Sequence, residues 1–376
     1  MKFGKRNLFL VIAVITAVSA VAGIKVFQNQ KEAVSSDKKM SSLDLELFDA
    51  IRNGKDVSAI EKIIKKGANV DVHYVISGED AFSEKDETPL IAAINSKRDL
   101  EVIKLLLKYG ADVENASNPN GYLWLTPLHI AILNNPDPKL VALLLEAKAS
   151  VDYDSGEGVS PLIGASSINN PDIIFPIVKV SVNPQALNIM LSFASENNSP
   201  QIIGMLLEAG ADINYQNCHS YLSAGETPLA KAVEGGNLEV MKLLIEKGAD
   251  VNKVENCPQT DTMSHNLTPI MHAAKNIEAM DILIKAGADI KAKDQKGNSL
   301  LMYASRYTQD AEPVKQLLDL GLDANETNQD GEYAIDWAIN SKSGIDVICS
   351  LIRAGANKSK NNEKAFLYFK DDCLKK

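Results

Sequence analysis

The chain has 376 residues, 45% apolar and 23% charged, with ordinary Gly and Pro content. That excludes a disordered chain and is long for one compact core, so a repeated unit is to be sought. Its net charge of -10 is uneven: seven Lys or Arg and two acids precede residue 43, leaving 32 basic and 47 acidic side chains beyond, a net of -15. A body that acidic repels phosphate backbones, which argues against nucleic acid and favours encounter with a basic protein surface.

Lys2, Lys5 and Arg6 precede an uncharged stretch from Asn7 to Ile24, of which Leu8 to Ala22 reads LFLVIAVITAVSAVA. A basic start followed by an apolar run has the form of an export signal. Two outcomes fit residues 1–27. Ala20-Val21-Ala22 before Gly23 supplies a small-residue cleavage site, so a signal peptide would be removed and the body released. Leu8 to Phe27 also gives about 20 residues, enough to cross a bilayer as an anchor. Ile24, Val26 and Phe27 continue the apolar run past the cleavage site and favour the anchor. Both outcomes place the body outside the cytosol, in the periplasm of a bacterial envelope, with the basic flank on the cytosolic side. Residues 28–42 (QNQKEAVSSDKKMSS) are polar and read as a flexible linker.

From residue 43 to 357 two phrases recur. ETPLIAAINSKRDLEVIKLLLKYGADV (Glu87–Val113) aligns with ETPLAKAVEGGNLEVMKLLIEKGADV (Glu226–Val251), with one extra residue. Thr88 and Thr227 are N-cap candidates, and Pro89 and Pro228 occupy the first helical position, where a missing N–H costs nothing. Leu100, Ile103, Leu106 and Leu107 lie three or four apart and share one face of the second helix, as do Leu238, Met241, Leu244 and Ile245. Gly110 and Gly248 then stop the helix, because glycine adopts the left-handed conformation without penalty.

These phrases resemble the ankyrin repeat, whose consensus T-P-L-H-x-A is matched in full by Thr126-Pro127-Leu128-His129-Ile130-Ala131 and loosely by Thr268-Pro269-Ile270-Met271-His272-Ala273. The resemblance implies an all-α solenoid of about nine stacked helix-turn-helix units joined by β-hairpin loops. The first unit, Leu43 to Val72, lacks Thr-Pro and serves as a cap. Others open near Thr88, Thr126, Ser160, Thr227, Thr268, Ser299 and Tyr333, with a weak one at Pro184 to Asn214. The longest insertions are at 75–87, 115–125, 215–226 and 253–267.

The pattern breaks at 158–200. Pro176 should shorten or kink its helix, Lys148 and Lys179 stand where Gly is expected, and Ile189-Met190-Leu191 replaces Thr-Pro-Leu. The stack is expected to bend or loosen there. The tail, residues 358–376, is charged with an apolar patch at Ala365 to Phe369, and is expected to fold back over the last unit.

The sequence holds no P-loop, G-x-G-x-x-G, H-E-x-x-H or G-x-S-x-G, so no catalytic residue and no cofactor is assigned. His129 sits at the family's structural His position, His272 is assigned to packing, and His73 to an exposed hairpin. Cys218 and Cys257 lie at equivalent places in adjacent loops. A disulfide closing about 40 residues would stabilise by roughly 3–4 kcal/mol. Free thiols and a zinc site with His219 and His265 remain alternatives, although the spacing is unusual for zinc. Cys349 and Cys373 are a second candidate pair.

Ankyrin-like stacks bind proteins along a concave face made by hairpin tips and first helices. Carried over by position, the resemblance implies Asn95, Glu234, Arg306 and Tyr307 at helix ends, and Tyr122, Trp124, Tyr153, Tyr215 and Tyr221 at loop tips. Tyr303 and Trp337 are assigned to the core. The function expected is a monomeric, non-catalytic protein that binds a protein partner outside the cytosol as an inhibitor or immunity-type protein. A scaffold for an envelope enzyme and a secreted effector that binds host proteins are the alternatives.

Overall fold

The computed structural model describes residues 40–76, 85–117, 124–153, 155, 160–216, 218, 225–256, 266–357 and 362–375. The N-terminal segment and its linker up to residue 39 lie outside them. No helix among the described residues is long and apolar enough to cross a membrane.

The described helices form nine pairs and a tail. The first four pairs are α1 (Ser42–Arg52) with α2 (Val57–Lys65), α3 (Pro89–Asn95) with α4 (Leu100–Lys108), α5 (Pro127–Asn134) with α6 (Pro138–Glu146), and α7 (Pro161–Gly164) with α8 (Pro171–Val180). Next come α9 (Pro184–Asn197) with α10 (Pro200–Glu208), α11 (Pro228–Glu234) with α12 (Leu238–Glu246), and α13 (Pro269–His272) with α14 (Ile277–Lys285). Then follow α15 (Leu300–Tyr307) with α16 (Glu312–Asp319), α17 (Ala334–Asn340) with α18 (Ile345–Arg353), and the tail helix α19 (Glu363–Lys375). Both α7 and α13 continue as a 3-10 turn, Ala165–Ser167 and Ala273–Lys275.

The chain divides into two compact units, one of residues up to 190 with 204–211, the other of residues 191–203 with 212 onward. The division runs through α9 and α10, where Ile189-Met190-Leu191 stands in place of Thr-Pro-Leu. Among the described residues one loop makes a two-stranded sheet, β1 (Tyr74–Ile76) antiparallel to β2 (Lys85–Glu87). Among the described residues two other loops carry an isolated bridge, Ser117 with Leu125 and Lys293 with Ser299.

Local chemistry explains each pair. The Thr88 and Thr227 hydroxyls accept from the N–H groups of Ile91 and Ala230, at 3.3 and 3.2 Å. At the far end Gly110 has φ +92°, and the Ala111 N–H reaches back to the Leu106 carbonyl at 3.0 Å. That bond closes the helix by satisfying one of its last free carbonyls. Apolar faces then pack pair on pair: Leu90, Ile94, Val102 and Leu106 in one unit and Leu229, Val240, Met241 and Leu244 in the other are almost fully buried. Side chains also stitch successive loops. Asp71 accepts from the Asp112 N–H at 2.7 Å, Asn214 from Asp250 at 2.8 Å, Asn252 from Asp289 at 2.8 Å and Asn325 from Asn357 at 2.6 Å.

Two expectations about the irregular stretch are corrected. Pro176 does not shorten α8, which runs ten residues because Ile173, Ile174, Ile177 and Val178 hold its face in the core. Lys179 lies inside α8 and is not a stop. Lys148 does make a stop, at φ +72°, with the Ala149 N–H bonded to the Leu144 carbonyl at 3.0 Å. A lysine in that conformation carries strain that glycine would not.

Glycine is required for another reason at 344. A Cβ there would lie 2.4 Å from the Gln309 carbonyl oxygen, so the preceding loop packs directly on this backbone. At the C-terminal end α19 packs on α18. Cys349 and Cys373 form a disulfide with Cα atoms 5.0 Å apart, Phe366 is buried, and the Arg353 guanidinium donates to the Cys373 carbonyl at 3.2 Å.

Lys148→Gly is expected to raise stability to chemical denaturation by about 0.5–1 kcal/mol; no gain would mean that Lys148 is unstrained. Cys349→Ser should lower the stability of the C-terminal unit by about 3 kcal/mol, with faster amide exchange along α19 as the local signature.

Candidate functional site

Counting from each N-cap picks out equivalent positions on successive first helices. In the C-terminal unit the fourth residue after the cap is Lys231, His272, Tyr303 and Trp337 in successive pairs. The seventh is Glu234, Lys275, Arg306 and Asn340. The corresponding fourth residues of the N-terminal unit are Ala92, Ile130 and Gly164, which are small or apolar. At this position the N-terminal unit buries small or apolar side chains, and the C-terminal unit carries half-buried charged and aromatic ones.

The first half of this row is charged. Lys231 Nζ lies 3.3 Å from Glu226 and 3.1 Å from Glu234. His272 sits between two carboxylates, Nδ1 3.1 Å from Glu234 and Nε2 2.6 Å from Glu255. Glu255 is 1% exposed. Burial alone would push the imidazole down, but hydrogen bonds and charge from Glu234 and Glu255 outweigh it and raise its pKa to about 10. Burial alone would likewise raise Glu234, and the bonds and charges of His272 and Lys231 bring it to about 2. Burial pushes Glu255 up, with His272 offsetting only part. His272 is thus a buried imidazolium held by two acids, a larger role than packing.

The second half is aromatic. Tyr303 and Trp337 pack edge to face with centroids 5.5 Å apart, and Tyr303 stacks on Tyr307 at 6.3 Å. The Arg306 guanidinium lies over Tyr307 at 5.4 Å and over Trp337 at 5.3 Å. Trp337 donates its Nε1–H to Glu332 at 2.9 Å, and the Tyr303 hydroxyl donates to Asp294 at 2.7 Å. Burial and Asp294 push that hydroxyl above the usual tyrosine value. Tyr303 and Trp337 are half-buried, so their assignment to the core is corrected: the core is filled by Leu301, Met302, Ala304, Ile335 and Ala338 on either side of them. The cap-plus-four register was legible in the sequence and would have found them.

The other expected residues scatter. Asn95 is exposed and accepts from Asn134 at 3.1 Å. Trp124 is half-buried in its loop, Tyr153 packs edge to face on His129 at 6.1 Å, and Tyr215 is half-buried with an enclosed hydroxyl. Tyr122, Tyr221, Cys257, His219 and His265 lie outside the described residues. Cys218 is disulfide-bonded, and its sulfur lies 3.7 Å from the Asn256 carbonyl oxygen. His129 closes a capping box at its own helix start, with Nδ1 accepting from the Thr126 N–H at 3.2 Å. His73 is not free in solvent: its nitrogens lie 2.9 Å from Asp86 and 2.9 Å from Asn115, and the Asp86 bond raises its pKa. Among the described residues no group of His, Cys, Asp and Glu is arranged to hold a metal ion.

Capped helix pairs that bury one face against their neighbours, and offer a row of aromatic and charged side chains on another, make a repeat-built binding scaffold. The ankyrin repeats family model matches in three copies, at residues 47–155, 191–294 and 270–362, and the chain belongs to that family. It is similar to human transient receptor potential cation channel subfamily A member 1, 24% identical over 242 residues, which is 62% of this chain and 20% of that one. It is also similar to the ankyrin repeat protein FPV024 of Fowlpox virus (strain NVSL), 33% identical over 110 residues, 29% of this chain and 16% of that one. The chain therefore spans about a fifth or less of the length of these relatives. Ankyrin repeats are protein–protein interaction modules and typically have no catalytic role.

The His272 pair makes stability pH-dependent. Its folded pKa of about 10 lies above the ordinary 6.5, so its contribution is complete below 6.5, shrinks as pH rises and is gone above about 10. The C-terminal unit should lose stability between pH 7 and 10, and His272→Gln should remove that slope. Because Glu255 would be left buried without its cation, the same change should cost about 2–4 kcal/mol at neutral pH. A flat pH profile in the wild type would show that the imidazole is neutral in the fold.

Proposed function

We propose that this is a non-catalytic, monomeric binding protein that acts outside the cytosol and holds a protein partner on the first-helix face of its C-terminal unit, as an inhibitor or immunity-type protein. The observation that carries the reading is the cluster of Tyr303, Arg306, Tyr307 and Trp337. Tyr, Trp and Arg are the side chains that most often anchor protein interfaces. Tyr307 is 54% exposed and adjoins the Tyr303 and Trp337 rings and the Arg306 guanidinium, so the four side chains form one contiguous patch, the kind of surface that marks an interaction site. Glu332 and Asp294 fix the polar ends of Trp337 and Tyr303, so little ordering entropy remains to be lost on binding.

Two features support the location. The basic and apolar segment at Lys2–Ala22 has the form of an export signal. Cys218, Cys349 and Cys373 are all disulfide-bonded, which suits an oxidising compartment. The acidic body favours a partner that is basic overall.

The test is capture of partners by tagged full-length protein from its own cell envelope, with mass spectrometry of the partners and of the bait's N-terminus. The expected result is one stoichiometric protein that is lost with Trp337→Ala or Tyr307→Ala and kept with Trp124→Ala in the other unit. A partner indifferent to Trp337 and Tyr307 would place binding elsewhere, and a bait found whole in the cytosol would remove the extracytoplasmic reading.

A further inference from the structure

We infer that the Arg306 guanidinium is the anchor for an acidic side chain, Asp or Glu, carried by an extended segment of the partner. The inference rests on the protein-binding reading of this face and names the chemistry at its centre.

The argument starts from which charges are already engaged. On this face Glu226 is paired with Lys231, and Glu234 and Glu255 hold His272. Asp294 accepts from the N–H groups of Lys296 and Asn298, each at 2.8 Å, and from the Tyr303 hydroxyl. Glu332 accepts from Trp337 Nε1 at 2.9 Å and from Asn328 at 3.0 Å. Every one of these acids is held by donors of its own chain. Arg306 is different: among the described residues no carboxylate lies within ion-pair distance of it, and its guanidinium lies over the Tyr307 and Trp337 rings. Lys275, at the equivalent place in the preceding pair, is exposed and also lacks an ion-pair partner among the described residues.

The chain contains its own comparison. In the N-terminal unit the Arg52 guanidinium is seated on two rings in the same way, over Phe48 at 5.2 Å and Tyr74 at 4.5 Å. There Glu87 supplies the carboxylate, and the pair is closed. Arg306 has the aromatic seat and lacks the acid. An arginine laid on aromatic rings has lost much of its freedom already, and its planar fork matches a carboxylate in two parallel hydrogen bonds. An incoming Lys or Arg would instead meet a cation on the same seat. Charges of the body more than about 8 Å away are largely screened at physiological salt, and the nearer acids Glu332 and Asp294 are already hydrogen-bonded to Trp337 and Tyr303.

A phage-displayed library of random dodecapeptides, selected on the immobilised full chain and counter-selected on Arg306→Ala, tests this. Tryptophan fluorescence of Trp124→Phe, in which Trp337 is the sole indole, gives affinities. The expected peptides carry Asp or Glu at a common position and bind Arg306→Ala about ten-fold more weakly, as loss of a charge-assisted hydrogen bond requires. Arg306→Lys, which keeps the charge and loses the fork, should fall between. Changing the peptide's Glu to Gln should weaken binding to the wild type and make no difference to Arg306→Ala. Peptides that need Trp337 but carry no acid, or that bind Arg306→Ala within two-fold of wild type, would overturn the anchor and leave the docking face standing. Selection that yields no peptide sensitive to Trp337→Ala or Tyr307→Ala would remove both. Thermal melting of each variant separates lost contact from lost fold.

Discussion

No helix pair in this chain can bury its own apolar face. First helices of four to fourteen residues and second helices of eight to ten present one stripe each, and the surface covered between them is too small to offset the entropy of ordering the pair. Each pair becomes stable only with a neighbour on it. This explains why the same devices recur with little change: a Thr or Ser cap, Pro at the first helical position, a left-handed stop, and an Asn or Asp that accepts from the next loop. They fix where each pair begins and ends, so that the next can stack in register. It also explains Gly344, where the approach of Gln309 leaves no room for a side chain.

The position four residues after each N-cap differs between the two units. In the N-terminal unit it is filled by Ala92, Ile130 and Gly164, which are buried and belong to the packed core. In the C-terminal unit it is Lys231, His272, Tyr303 and Trp337. The charged half spends its charges internally, with an imidazolium clamped between Glu234 and Glu255. The aromatic half spends its hydrogen bonds internally and leaves ring faces and one guanidinium open. Acids held by their own chain and an open cation thus lie on neighbouring repeats.

The end of the stack presents the remaining problem of a repeat protein, an apolar face with no following repeat. Here α19 covers it with Phe366 and Cys373 and is tied by a covalent bond to Cys349 on α18. Leu367, Tyr368 and Leu374 stay exposed on the far side, which shows that the helix serves the stack with one face only.

What the sequence determined was the periodic part. Thr-Pro-Leu, the four-residue apolar spacing and Gly-Ala-Asp each act through the nearest few residues, so nine pairs could be read directly, including the weak one at Pro184. Irregular positions were misread where a tertiary contact overrides a local preference. Pro176 is carried within α8 by the buried Ile173, Ile174, Ile177 and Val178, and Lys148 accepts a left-handed backbone because the packed helix around it demands a stop. The candidate site was legible only in part. Arg306, Tyr307 and Glu234 follow from position, but nothing local shows that Glu255, in a loop seventeen residues before His272, becomes its partner. Nor does it show that Tyr303 and Trp337 from successive repeats join with Arg306. Those relations depend on which side chains the stacking distance brings together, a quantity set by the packed cores and absent from any single repeat.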